Sequence, residues 1–159
     1  MKRVELHVTQ GLSASGKSTW AKGWVAEERR DTRVRMNRDD LRKMIRGHWT
    51  GNSNDEDLIS AMIDCGVRTA LQSGLDVVID NTHLDTRDLK WWLDVAEDEG
   101  ARTVIHVWTT RTAECAARNR IRAGGVPHDV ILRQARKLAR NKIGIECLRS
   151  CFDEVVFHE

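Results

Sequence analysis

Gly11-Leu-Ser-Ala-Ser-Gly16-Lys17-Ser18 matches G-x-x-x-x-G-K-[ST], a pattern whose meaning depends on a strand before it and a helix after it. Both are expected here. Val4-Glu-Leu-His-Val8 has strand composition, and Thr19 to Arg29 has helical periodicity. In that context the glycines let the backbone wrap, its N–H groups turn toward phosphate oxygens, and the following helix adds its positive end. Lys17 is then placed to reach the β- and γ-phosphates of a nucleoside triphosphate, and the Ser18 hydroxyl to ligate Mg²⁺.

Outward from the loop, short β-type runs alternate with helical patterns, which predicts an α/β domain with a parallel sheet covered by helices. Strands are expected at Val34–Met36, Leu75–Ile79, Thr103–Trp108 and Asp153–Phe157, and helices at Leu58–Gln72, Thr86–Glu99, Thr112–Arg122 and His128–Asn141. Leu75-Asp-Val-Val-Ile79 is the clearest buried strand. Ser73-Gly74 and Gly100 are helix stops, and Thr86 is a candidate N-cap. Arg46 to Asp57 is charged and broken by glycine, so it reads as a loop or an interrupted helix.

The chain has 159 residues, enough for one domain with a sizeable core, and the expectation is a single domain over 1–159. With 31% charged residues and no long apolar run, neither disorder nor a membrane span is expected. The formal net charge of +2 is too small to mark a nucleic-acid binder by its overall field, so any basic surface is local. Four cysteines at 65, 115, 147 and 151 show no metal-ligand spacing and suit a reducing cytosol. Six tryptophans stand beside no tyrosine. Stacking on bases and ordinary helix packing are both open to them, with packing the expected use for most.

A phosphate-binding loop does not by itself separate kinases from switches or motors, so the discriminating residues belong at the carboxyl ends of the other strands. Asn37-Arg38-Asp39-Asp40 follows the second strand. A carboxylate there can accept a proton from an attacking hydroxyl, with Arg42 on the same helical face to hold an anion; equally, Asp39 or Asp40 can simply cap the next helix. Asp80 ends the Val77–Ile79 strand and has three readings: a Mg²⁺-side carboxylate acting through a metal-bound water, a support for the loop, or a helix cap. Arg118 and Arg122, four residues apart, precede Gly124-Gly125-Val126-Pro127 and suggest a mobile lid at about 111–127 that clamps γ-phosphate charge. A solvated basic face is the alternative.

Taken in order, Gly16-Lys-Ser-Thr-Trp20-Ala21, Asn37-Arg-Asp-Asp-Leu-Arg42, Asp80-Asn-Thr82 and Val126-Pro127-His-Asp-Val130 resemble the 5′-kinase domain of phage-type polynucleotide kinase/phosphatase. The resemblance implies an adenylate-kinase-like P-loop kinase fold: three layers, a central parallel sheet of about four to five strands, and an arginine-bearing helical lid. It implies ATP-dependent, Mg²⁺-assisted transfer of the γ-phosphate to a 5′-hydroxyl end of DNA or RNA, as in nucleic-acid end repair. Separate phosphatase or ligase proteins are the implied partners, and the cytoplasm of a bacterial or phage-infected cell the implied setting.

Carried over, Gly11, Ser13, Ala14, Ser15, Gly16, Lys17, Ser18 and Thr19 hold the nucleotide, with Arg118 and Arg122 from the lid. Asp39 is the implied general base, and Arg42 contacts the phosphate on the 3′ side of the terminal nucleoside. Arg38, Asn81 and Thr82 complete the acceptor side, and Ser18 holds Mg²⁺ with Asp80 through water. The Asp-x-Asp-Gly-Thr motif of the family's phosphatase half does not occur in these residues, so a lone kinase domain is expected. Ala14 stands where glycine is common, which a negative φ would tolerate, and His83 stands where asparagine is usual. Two other readings stay open: a small-molecule kinase for a nucleoside, nucleotide or sugar, and an ATP-driven switch.

Overall fold

A computed structural model describes residues 3–28, 31–48 and 52–159. β1 (Glu5–Gln10), β2 (Arg33–Met36), β3 (Asp76–Ile79), β4 (Arg102–Trp108) and β5 (Glu154–His158) form one sheet in the order β2-β3-β1-β4-β5, every pairing parallel. The expected α/β architecture is therefore present, with β1 at the centre. In register, Leu6, His7 and Val8 lie against Val77, Val78 and Ile79 of β3, and β1 runs its whole length along β4. Parallel pairing brings the carboxyl ends of the strands to one edge, where α/β sheets place their ligands.

Helices cover both faces. On one, α3 (Ser53–Gln72), α4 (Thr86–Asp98) and α7 (Lys142–Arg149) bury Ile59, Ile63, Leu89, Trp92 and Ile145 against Leu6, Val8, Ile79 and Ile105. These strand residues alternate with others that face away, as period-two side chains must. On the opposite face, α1 (Lys17–Ala26) lays Trp20 and Trp24 over a line of histidines. The Trp20 ring centroid is 4.0 Å from that of His106, and Trp24 lies 4.6 Å from His7. Trp108 stacks on His158 at 4.2 Å. Packing is thus the use of Trp20, Trp24, Trp92 and Trp108, as expected for most of the set; Trp49 lies outside the described residues.

The histidines form a hydrogen-bonded chain across three adjacent strands. His7 Nε2 is 3.2 Å from Glu5, His7 Nδ1 is 3.0 Å from His106 Nε2, and His106 Nδ1 is 3.0 Å from His158 Nε2. A carboxylate only accepts, so with all three rings neutral each Nε2–H donates toward Glu5, and the Nδ1 atoms of His7 and His106 accept from the next ring. Burial favours this neutral state and holds His106 down at about 3, with His7 and His158 also lowered.

The structure departs from the sequence reading at several ends. The stretch Arg46–Asp57 is an interrupted helix, one of the two alternatives read from sequence: α2 (Arg38–Arg46) ends at its start and α3 begins at Ser53, while residues 49–51 lie outside the described set. Asn52 caps α3 by accepting from the Asn54 N–H, a local cue hidden by the charge density around it. Asp85, not Thr86, caps α4 through the Arg87 N–H. α1 begins at Lys17 and ends at Ala26, short of Arg29, which is outside the described residues. α7 was not anticipated; it follows α6 (His128–Arg140) with only Asn141 between. Among the described residues no helix is long and apolar enough to cross a membrane.

Because the histidines are neutral when folded and charge near 6.5 when unfolded, stability is complete above that pH and falls as pH drops toward about 3. His106 alone should cost about 2 kcal/mol between pH 7 and pH 5, above the range where ordinary carboxylates titrate. Denaturant midpoints that stay level across that interval would contradict the chain of neutral rings.

Candidate functional site

A cleft of about 490 Å³ opens at the carboxyl edge of the sheet, and it collects nearly all the residues singled out from sequence. Lys17, Ser18 and Thr19 line it from the start of α1, Arg38, Asp39 and Arg42 from α2, and Asp80, Asn81 and Thr82 from the end of β3. Arg118 and Arg122 line it from the far side. Ser13, Ala14 and Gly16 belong to its floor, whereas Gly11 and Ser15 sit behind it as buried support.

The loop is held by contact as well as by conformation. Gly11 donates its N–H to the Thr82 carbonyl at 3.0 Å, tying the exit of β1 to the exit of β3. Its φ is +153°, and a side chain there would bring Cβ to 2.9 Å from the Trp108 Cβ, so only glycine fits. Ala14 also has a positive φ, +63°. The condition under which alanine would be tolerated without strain, a negative φ, is therefore not met: the loop places it in the left-handed region, at roughly 1–2 kcal/mol relative to an unstrained residue.

Lys17 is buried, and its Nζ donates to the Leu12 carbonyl at 2.5 Å and to Ser15 Oγ at 3.2 Å. Burial pulls its pKa down to about 8, opposed by the nearby Asp80 carboxylate. Asp80 is 1% exposed. Its Oδ2 accepts from Arg35 Nε at 2.8 Å and NH2 at 2.6 Å, while Oδ1 is buried with no partner among the described residues. A buried unpaired carboxylate oxygen costs about 1–3 kcal/mol or more, so its survival calls for a function. The cap reading for Asp80 is excluded, since Asp85 caps α4.

The same logic separates the carboxylates of Asn37-Arg-Asp-Asp40. Asn37 caps α2, accepting from the Asp40 N–H at 2.9 Å, so neither aspartate is needed as a cap. Asp40 pairs with Arg35 NH1 at 2.5 Å, outside the cleft lining, whereas Asp39 lines the cleft with its side chain largely exposed. Arg42 holds Asp39 Oδ1 at 2.5 Å through NH1.

Two supporting residues escaped sequence reading. Glu56 grips Arg42 in a two-pronged pair, Nε and NH2 each 2.7 Å from a carboxylate oxygen, and takes Arg38 NH2 at 2.9 Å. Those guanidinium bonds, Arg42's foremost, hold Glu56 down at about 2. Its signal was the acidic first turn behind the Asn52 cap, within a stretch expected to be broken. Gln134, on α6, accepts from the Ser13 N–H at 2.8 Å and donates to Ser13 Oγ at 2.9 Å. Nothing in local sequence marks a glutamine for a contact 121 residues away.

On the far side of the cleft, α5 (Thr112–Ile121) stops one residue before Arg122, whose backbone is extended at φ −85° and ψ 138°. Arg118 and Arg122 therefore do not share one helical face as expected, yet both reach the cleft. Arg118 NH1 lies 3.4 Å from the Ser15 carbonyl and NH2 pairs with Glu114. Asn119 clasps the following turn, donating to the Val126 carbonyl at 2.7 Å and accepting from its N–H at 3.0 Å. A Cβ at Gly125 would sit 2.5 Å from the Asn119 carbonyl oxygen, which makes glycine obligatory there. Asn81 turns its Oδ1 to the Arg38 N–H at 3.2 Å, so it supports α2 from within the cleft. His83 is structural: buried, it donates Nδ1–H to the Thr9 carbonyl at 2.5 Å and accepts from Trp92 Nε1 at 3.1 Å. His128 lies outside the cleft lining.

The chain has relatives among known proteins. A family model described as AAA domain matches residues 6–141. The chain belongs to that family. It is similar to a chain of the Pnkp1/Rnl/Hen1 RNA repair complex, 26% identical with a TM-score of 0.79 over 90% of this chain and 46% of that one. A second structure of that complex matches at 27% identity and a TM-score of 0.68, over 80% of this chain and 42% of the other. This AAA domain chain thus spans less than half the length of those relatives. Its fold is also that of a gluconokinase from Sinorhizobium meliloti 1021, 18% identical with a TM-score of 0.60 over 99% of this chain and 83% of that one.

Lys17 carries a charge that folding disfavours. Lys17→Met is expected to raise the unfolding free energy by up to about 3 kcal/mol. The same change should weaken ATP binding roughly 100-fold, the worth of a buried charge-assisted contact with phosphate. Calorimetric titration and denaturant melts of the two proteins check both signs.

Proposed function

We propose that this protein is a polynucleotide 5′-hydroxyl kinase, transferring the γ-phosphate of ATP or another nucleoside triphosphate to the 5′-OH end of DNA or RNA. The observation that carries the reading is the coupling of Asp39 and Arg42 on one wall of the cleft, facing Lys17 and the loop on the other. The similarity to a chain from an RNA repair complex, over most of this sequence, supports the same class of acceptor. End repair together with separate phosphatase or ligase proteins is the corresponding setting.

Gly16, Lys17 and the loop N–H groups hold the donor phosphates in this scheme, with Arg118 and Arg122 closing on the γ-phosphate. The residues present fit a Mg²⁺ ion. Ser18 offers a hydroxyl in the cleft, and Asp80 Oδ1 is the buried acceptor left without a partner, suited to a metal-bound water. Mg²⁺ there would neutralise charge on the transferring phosphoryl group.

The acceptor side explains a contact that otherwise ties up the base. Arg42 NH1 is engaged by Asp39, while Glu56 fixes the other two nitrogens. A phosphate on the 3′ side of the terminal nucleoside competes for NH1 and releases the Asp39 carboxylate to the 5′-hydroxyl. The hydroxyl oxygen then bonds to the γ-phosphorus as the bond to the β–γ bridging oxygen breaks. Its proton passes to Asp39, and the nucleoside diphosphate leaves. Positioning and charge neutralisation supply most of the acceleration, so Asp39 needs reach more than a tuned pKa.

Asp39→Ala should reduce phosphoryl transfer by at least about 100-fold while ATP affinity stays within about twofold, measured by labelled transfer and calorimetry. Full activity in that variant would sink the assignment. A nucleoside, a nucleoside 3′-monophosphate and a 5′-OH oligonucleotide, compared as acceptors, separate this reading from a small-molecule kinase. Preference for the unphosphorylated nucleoside favours the latter.

A further inference from the structure

A second groove, of about 910 Å³, adjoins the cleft and shares Arg38, Asn81 and Thr82 with it. Its volume is within the roughly 300–1,000 Å³ of small-ligand sites. Two helix faces make its walls. α3 contributes Asp57, Ser60, Ala61 and Asp64, spaced at three, four and seven residues, and α4 contributes Arg87, Asp88, Trp91 and Trp92. Trp92 is fixed as part of the floor by its hydrogen bond to His83. Trp91 is different: it is 52% exposed, in a sheet protein whose other described tryptophans mostly serve packing. It presents a large aromatic face on a helix wall of the groove, open to a ring that stacks on it.

The polar groups narrow what that can be. Arg38 stands at the junction with the cleft and is already committed to Glu56 and Ser60. Along the helix walls, exposed Asp57 and Asp88 make no ion pair among the described residues while Arg87 is taken up by Asp85, so their carboxylates disfavour a phosphodiester there. Carboxylates beside an indole suit a nucleobase instead, accepting hydrogen bonds from its exocyclic amino group while the ring stacks. Resting on the polynucleotide reading above, we propose that this groove receives the second nucleotide of the acceptor strand, its base stacked on Trp91 and its phosphates kept at the Arg38–Arg42 end. The groove then makes the enzyme prefer a strand over a mononucleotide.

The test compares wild type, Trp91→Ala and Trp91→Phe on a nucleoside 3′-monophosphate and on a short single-stranded 5′-OH oligonucleotide, reading kcat/KM for each. In Trp91→Ala the ratio of oligonucleotide to mononucleotide kcat/KM should fall about tenfold, through KM for the oligonucleotide, as expected for the loss of one base stack. Trp91→Phe, which keeps an aromatic face, should restore most of the ratio. A ratio unchanged in Trp91→Ala, whether both rates hold or both fall together, overturns the groove while leaving the kinase reading intact; a groove that serves a protein partner gives that result. A wild-type chain that phosphorylates neither acceptor removes the polynucleotide reading, and the occupant of the groove with it.

Discussion

Asp80 has both carboxylate oxygens out of water, and the protein partners only one of them. Arg35 takes Oδ2 with two nitrogens and reaches Asp40 with the third, so one guanidinium on β2 sets the end of β3 and the first turn of α2 together. The pair survives burial because its geometry is good and Asn37 adds a further donor. With β3 held in this way, Thr82 meets Gly11, and the Gly11–Ser18 loop is fixed relative to the end of β3. The unpartnered Oδ1 is buried at the end of β3, on a residue that lines the space between the two walls.

Around that space several polar and charged groups already have partners within the chain. Lys17 leans on the Leu12 carbonyl, the Ser13 N–H is occupied by Gln134, Arg118 lies against Glu114, and Arg42 against Asp39. At those groups a bound phosphate would exchange contacts instead of adding them, and the net gain per contact is smaller than its gross strength. The exchange also couples the elements. Displacing Gln134 from the loop removes a tie to α6, and displacing Asp39 from Arg42 frees a carboxylate on α2, so a ligand that competes for these contacts would alter both helices.

The opposite face of the sheet carries a separate polar network. Glu5, His7, His106 and His158 run under Trp20 and Trp24, on the side away from the main apolar core. Every ring in the line has one donor and one acceptor, so neutrality satisfies them with a single direction of bonding. Trp108 connects this network to function, since it stacks on His158 and limits the space at Gly11.

Local sequence determined the phosphate loop, the five strands and the parallel class, because glycine spacing and apolar periodicity are short-range properties that survive any tertiary arrangement. It also marked Asp39, Arg42, Asp80, Arg118 and Arg122, which the fold brings to one cleft. What it left open was decided across the fold. Asn37 and Asp85 took the caps, and so separated the roles of Asp39, Asp40 and Asp80; a cap choice among adjacent Asn and Asp residues depends on backbone angles that sequence does not display. Glu56 and Gln134 reach the site from 14 and 121 residues away, and the left-handed Ala14 is held by the loop as a whole. Such contacts come into being only when parallel strands bring distant segments to one edge, which is why the tertiary structure had to supply them.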